Sequence, residues 1–184
     1  MTFRILVLCT GNVCRSPVAE HLLSSALGAG FEVASRGTQA WPGQPFAPEM
    51  AALLHERMGM AVGTRGAVRL TPADVRAADL VLGMERGHRA AAVRMHPAAV
   101  RRAFTLTEFA RLASAIEPPP VSVAGRDQAM ADAVGRAHQG RRPVPPELDE
   151  IVDPIGQPAA VYEAVFDQID VAVRRIARVI GAGE

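Results

Sequence analysis

The stretch Cys9-Thr-Gly-Asn-Val-Cys-Arg-Ser16 constrains this chain more than any other part of it. Before it stands the apolar run Phe3 to Leu8, which has the pattern of a short buried strand. After it, Pro17-Val-Ala-Glu-His-Leu-Leu reads as the first turns of a helix. A tight loop between such a strand and such a helix turns its backbone amides toward the positive end of the helix dipole, which is a cradle for an anion. Gly11 is expected to supply the positive backbone angles that let successive amides converge. Arg15 can fold back as a planar fork onto two oxygens of a phosphate, a geometry lysine lacks. The same field favours the anionic form of a thiol, so Cys9 is a candidate nucleophile beneath a bound phosphoryl group. Thr10, Gly11, Asn12, Val13, Cys14, Arg15 and Ser16 would then line the cradle. Ser16 has two possible tasks, donating to the Cys9 sulfur and capping the helix with Pro17 at its first position.

The rest of the chain suits a cradle of this kind. At 184 residues it can form one domain with a single core, and 49% apolar residues are enough to fill it. No apolar run approaches the roughly 18 residues that span a membrane, and the N-terminus lacks the form of a leader. These features predict a cytoplasmic protein, without membrane contact. A formal net charge of +1 argues against a general nucleic-acid surface. Two cysteines in one loop cannot staple a fold of this size. The five histidines show no metal-ligand spacing, so neither metal nor cofactor is expected.

Taken in order, the patterns alternate strand and helix. Val18, Leu22, Leu23, Ala26 and Leu27 share a helical face, Gly28-Ala-Gly30 stops it, and Phe31 to Ser35 is a second strand. The resulting βαβ unit is right-handed almost without exception, which puts the loop at the carboxyl edge of a parallel sheet, where ligands bind. A Gly/Pro-rich loop from Gly37 to Pro48 carries Trp41, either a partial core plug or a wall of the site. A helix follows from Pro48 to Gly59. Thr71-Pro-Ala-Asp74 has the form of a helix cap. Leu80 to Met84 is a third strand, and the Arg-rich helix after it, Glu85 to about Met95, reads as a solvated face. Phe104 to Leu106 is a fourth strand, with Thr107 capping the next helix. Residues 117–148 form an insertion, either a surface excursion or a segment shaping the mouth of the site. A last helix runs from Pro158 to Ile180, packing through Val161, Val165, Ile169, Ala172 and Ile176. The expected fold is α/β, a four-stranded parallel sheet with helices on both faces and the phosphate loop between the first strand and the first helix. A thiolate that displaces an alcohol needs a proton donor, for which Asp149, Glu150 and Asp153 are candidates, and Pro154 stiffens the chain after the last.

The loop Cys9 to Pro17 resembles the phosphate loop of the low-molecular-weight protein-tyrosine phosphatases. Further matches are Ser35-Arg-Gly-Thr38, the Ala78 to Met84 strand, Phe104-Thr-Leu106 and the late Asp153-Pro154. The resemblance implies a phosphatase with Cys9, Arg15 and Asp153 as catalytic residues, acting on a phosphorylated protein or small aryl phosphate, releasing phosphate, and working as a monomer. It places Trp41 and Ile155 as walls of the substrate pocket, and it makes Cys14, otherwise a small buried filler, a reversible disulfide partner of Cys9. Arg65 stands where many relatives carry a His that braces the loop Asn, here Asn12; an arginine offers that amide no acceptor. Ile155-Gly156 replaces the family's tyrosine pair. Relatives selective for phosphoarginine carry Thr, and tyrosine phosphatases Ile, where this chain has Val13, an apolar residue that favours the tyrosine reading. The rivals are a protein-arginine phosphatase of the same fold, an arsenate reductase, whose relay needs a cysteine pair absent after Cys14, and a non-catalytic phosphate-binding module.

Overall fold

A computed structural model describes residues 2–117 and 125–181. The proline run 118–120, at the head of the expected insertion, lies outside them. Four parallel strands, β1 (Phe3–Cys9), β2 (Phe31–Gly37), β3 (Leu80–Gly83) and β4 (Ala103–Thr105), form one sheet in the order β2-β1-β3-β4. This is the expected fold class. In β1 the side chains alternate between faces. Ile5, Val7 and Cys9 belong to the larger core, with α1 (Arg15–Leu27), α2 (Pro48–Met58), α5 (Leu106–Ala113) and α7 (Ala159–Arg178). Leu6 and Leu8 pack into the smaller one, against Val75 of α3 (Pro72–Ala77) and Ala92 of α4 (Arg86–Met95). Both faces are thus covered, which is why β1 reads as an unbroken apolar run.

The strand order reverses at β1, whose neighbours β2 and β3 lie on opposite sides. The crevice beyond such a reversal is where open α/β sheets bind ligands, and it holds the Cys9 loop. The register sets Leu8 beside Gly83 and Cys9 beside Gly37, so three strand ends converge there. A Cβ on Gly37 would stand 2.7 Å from the Thr10 carbonyl oxygen and 2.9 Å from the Asn12 nitrogen, so the loop can lie on β2 only because that residue has no side chain.

Several boundaries follow the sequence, and others move for identifiable reasons. Gly59 ends α2 in the left-handed conformation, and Thr71 with Asp74 forms the capping box of α3. The helix after β4 is capped by Thr105, not Thr107. Thr105 Oγ1 accepts from the Glu108 amide at 3.1 Å while Glu108 Oε2 accepts from the Thr105 amide at 3.2 Å, and the acid three positions on selects Thr105. Helix α1 starts at Arg15, with Cys14 as a cap that makes no side-chain bond, so Ser16 is inside the helix and Pro17 is its third residue. Proline is tolerated there because the first-turn amides have no intrahelical acceptor.

Within the expected insertion at 117–148, residues 126–141 pack against the domain, whereas 142–148 are largely exposed. Helix α6 (Arg126–Gln139) buries Ala129, Met130, Ala133, Val134 and Ala137, the face that their spacing implies. Arg141 then lies 4.1 Å over the Phe104 ring and pairs with buried Glu108 at 2.8 Å. Nor is α4 simply solvated, since Arg86 and Arg89 pair with the buried acids Asp149 and Glu108 and His88 is itself buried.

Gly37→Ala is expected to lower the unfolding free energy by about 1–3 kcal/mol, the usual cost of forcing atoms into a packed site. The check is the urea midpoint at unchanged slope. Gly135→Ala in α6, where an added Cβ meets nothing within 4 Å, should be neutral or stabilising.

Candidate active site

The loop after β1 closes on the Cys9 sulfur. Its positive backbone angle is at Asn12 (φ 56°), not at Gly11 as expected. Asparagine tolerates that region, and its turn aims its own N–H at Cys9 Sγ, 3.2 Å away. Ser16 Oγ stands 2.9 Å from the same sulfur. Asn12 Nδ2 donates to Ser16 Oγ at 3.1 Å, which leaves the hydroxyl hydrogen free to turn toward a thiolate. Here is the reason Ser16 does not cap the helix: its oxygen is already engaged. The carbonyls of Cys9, Thr10 and Val13 accept from the amides of Thr38, Gln39 and Ala47 at 2.9, 2.9 and 2.7 Å. Among the described residues, the amides of Gly11, Val13 and Cys14 donate to no backbone carbonyl, so they remain available to an anion.

Asn12 is braced without the histidine. Nδ2 also donates to Ser35 Oγ at 2.7 Å, and Oδ1 accepts from the Val68 amide at 2.8 Å. Ser35 in turn donates to Glu20 at 2.5 Å, and Arg65 donates to the same Glu20 oxygen at 2.7 Å. Arg65 thus acts one step further out, and serine supplies the acceptor that arginine could not.

Arg15 is 1% exposed. Nη1 donates to Glu85 and, at 2.8 Å, to the Ile151 carbonyl; Nη2 donates to Asp153 Oδ2 at 2.7 Å. Nε is buried and has no protein partner. Of the three acidic candidates, Asp149 is taken by Arg86 and Arg111, and Glu150 by the Arg86 amide. Only Asp153 reaches Arg15. Trp41 is 79% exposed, which rules out the core plug, and Ile155 is 50% exposed.

Burial above all, then the charges of Cys9 and Asp153, pushes the Cys14 thiol up to about 12. Both cysteines are free thiols, and Cys14 stays protonated at neutral pH, a small buried residue under the loop. His88 touches Thr10 from the other side, with Nε2 and Thr10 Oγ1 3.0 Å apart, and burial lowers its pKa. Glu85, His88, Ser35 and Glu20 were missed in the sequence. The placement of Glu85 just past β3, at the ligand-binding edge, was the one signal that could have found it.

A model of the family described as low molecular weight phosphotyrosine protein phosphatase matches residues 4–119. The chain belongs to that family. Over 177 residues it is 30% identical to a protein-arginine-phosphatase of Geobacillus stearothermophilus, covering 96% of this chain and 95% of that one. The probable low molecular weight protein-tyrosine-phosphatase EpsP of Ralstonia nicotianae is 36% identical over 105 residues, 57% of this chain and 71% of its own. The crystal structure of the low molecular weight protein tyrosine phosphatase from T. tengcongensis superposes with a TM-score of 0.71 at 27% identity, covering 96% and 99% of the two chains. The reading of the loop as that of a low molecular weight phosphatase is therefore borne out. Asp153 lies beyond the residues that the phosphatase family model matches, so its claim rests on its contact with Arg15.

The Cys14 thiol makes stability depend on pH in a defined direction. It titrates at 9.0 when unperturbed and near 12 in the folded chain, so between these values the unfolded chain loses its proton first and folding is penalised as pH rises. Wild type should lose about 2–3 kcal/mol more than Cys14→Ala between pH 8 and 11, with parallel behaviour below pH 9. Urea unfolding of both proteins across that range checks it.

Proposed function

We propose that this member of the family hydrolyses phosphotyrosine-type monoesters through a phosphocysteine, with Cys9 as nucleophile, Arg15 holding the phosphoryl group and Asp153 exchanging the proton. The observation that carries the proposal is the guanidinium of Arg15. Nε–H and Nη2 form one edge of its fork; Nε is a buried donor without a partner, and Nη2 holds the carboxylate that would serve as acid. A phosphate fits that edge with two parallel bonds and then lies above a sulfur that receives the Asn12 N–H and the Ser16 hydroxyl.

In the first step the Cys9 thiolate forms a bond to phosphorus as the phosphorus–oxygen bond to the leaving group breaks, and the leaving oxygen takes the proton of the Asp153 carboxyl. In the second, water attacks phosphorus, gives a proton to the Asp153 carboxylate, and phosphate leaves with the sulfur–phosphorus bond broken. The loop amides and Arg15 stabilise the charge on the transferring group in both. Trp41 and Ile155, both exposed and apolar, would be the walls of the substrate pocket. The chain would act in the cytoplasm as a monomer. No helix among the described residues is long and apolar enough to cross a membrane.

A second reading, phosphoarginine as substrate, is favoured by the near full-length match to a protein-arginine-phosphatase. Val13 opposes it. A phosphoarginine brings guanidinium N–H groups into the slot, and an apolar side chain there leaves donors unpaired, whereas an aryl ring loses nothing.

Cys9→Ser should lower aryl phosphate turnover by at least about three orders of magnitude. Asp153→Asn should lower kcat by about 100-fold or more. Wild type should favour an aryl phosphate over phosphoarginine in kcat/KM, and Val13→Thr should move that ratio about tenfold toward phosphoarginine. A wild type that prefers phosphoarginine would refute the choice of substrate.

A further inference from the structure

His88 stands between the Cys9 loop and the residues that follow β3. The Glu85 amide donates to its Nδ1 at 3.1 Å, so that nitrogen must carry a lone pair. In the neutral ring the proton is then on Nε2, and Nε2 lies 3.0 Å from Thr10 Oγ1, which accepts it. Thr10 follows Cys9 in the phosphate loop, and Glu85 is one of the two residues whose carboxylates grip Arg15. Gly83 lets the ring come this close: a Cβ there would stand 3.0 Å from His88 Cβ and 2.9 Å from the Glu85 carbonyl.

We propose that His88 is a positioning residue of the phosphate loop, held by the Glu85 amide as the Nε2–H tautomer so that it fixes Thr10, and with it the start of the loop, relative to the carboxylate that holds Arg15. The inference rests on the reading of the Cys9 loop as a phosphate site. Thr10 keeps its own hydroxyl hydrogen for a phosphate oxygen or a water. Burial lowers the His88 pKa, the charge of Arg15 adds to this, and the carboxylates of Glu85 and Asp153 oppose it, so the neutral ring that these contacts need is the form present at neutral pH. Protonation would set two N–H groups against each other at Glu85.

Two substitutions separate the halves of the contact. His88→Asn keeps an acceptor for the Glu85 amide and loses reach to Thr10; His88→Gln puts an amide N–H where Nε2 stands. Thr10→Val removes the acceptor. His88→Asn and Thr10→Val should each lower kcat/KM for an aryl phosphate, and the affinity for inorganic phosphate, by roughly five- to tenfold, chiefly in kcat for turnover. The double variant should lose no more than Thr10→Val alone, because both changes remove the same contact, and His88→Gln should recover most of the loss of His88→Asn. Nitrogen-15 NMR of the unsubstituted protein at pH 7 should show His88 as the Nε2–H tautomer. Additive losses, equal loss in the Asn and Gln variants, or a ring that is charged or protonated on Nδ1 would overturn the proposal. A wild type inactive on aryl phosphate would count against the proposed reaction instead, while the phosphate affinities and the tautomer still decide the role of His88.

Discussion

A buried arginine sets the terms for this structure. An unpaired charge removed from water costs several kcal/mol, and Arg15, at 1% exposure, is tolerated because Glu85, the Ile151 carbonyl and Asp153 surround it. These partners lie 70, 136 and 138 positions away along the chain. The sheet solves the problem by pairing β1 with β3, which ends Glu85 beside the loop. Ile151 then joins the same edge through its amide, 2.9 Å from the Met84 carbonyl. A phosphate loop of this kind is therefore not a local motif that any strand and helix could carry. It needs the residue past β3 and the segment Ile151 to Asp153 beside it to neutralise the cation it buries.

That division explains what could be read from the sequence. Whatever depends on neighbours a few positions apart was legible: the alternation of strands and helices, Gly59 as the end of α2, the Thr71–Asp74 box, and the loop itself with its thiol and its fork. Where two local readings competed, the nonlocal partner decided. Ser16 looked like a cap until its oxygen was claimed by the Cys9 sulfur and the Asn12 amide, and Gly11 looked like the left-handed residue although Asn12 gains a bond to sulfur by taking that conformation. Thr107 lost the cap to Thr105 because Glu108 sits three positions after the second and one after the first. His88, Ser35 and Glu20 had no local signature at all, and Glu85 only its place just past β3. Their meaning comes from strands and helices 15 to 78 residues apart meeting at one edge.

The arginines on the far side serve a related end. Asp149 is buried and accepts from Arg86 at 3.1 Å and Arg111 at 3.0 Å, while Arg86 also holds the Val144 carbonyl at 2.7 Å. Glu108 is buried between Arg89 and Arg141, and Arg141 reaches the carbonyls of Val100 and Ala103 as well. A planar fork can hold a carboxylate and a carbonyl at once, which a lysine does with far less directional control. The path from α6 to Ile151 is therefore tied to α4, α5 and the start of β4 before it reaches the site. Beyond Ile151 the chain emerges, with Val152 60% and Ile155 50% exposed on either side of Asp153 and Pro154. The proposed acid thus extends from an anchored base rather than from a free lid. On the proposed reading, what a substrate would meet is a short exposed turn whose backbone is fixed at one end by the same guanidinium that would hold its phosphate.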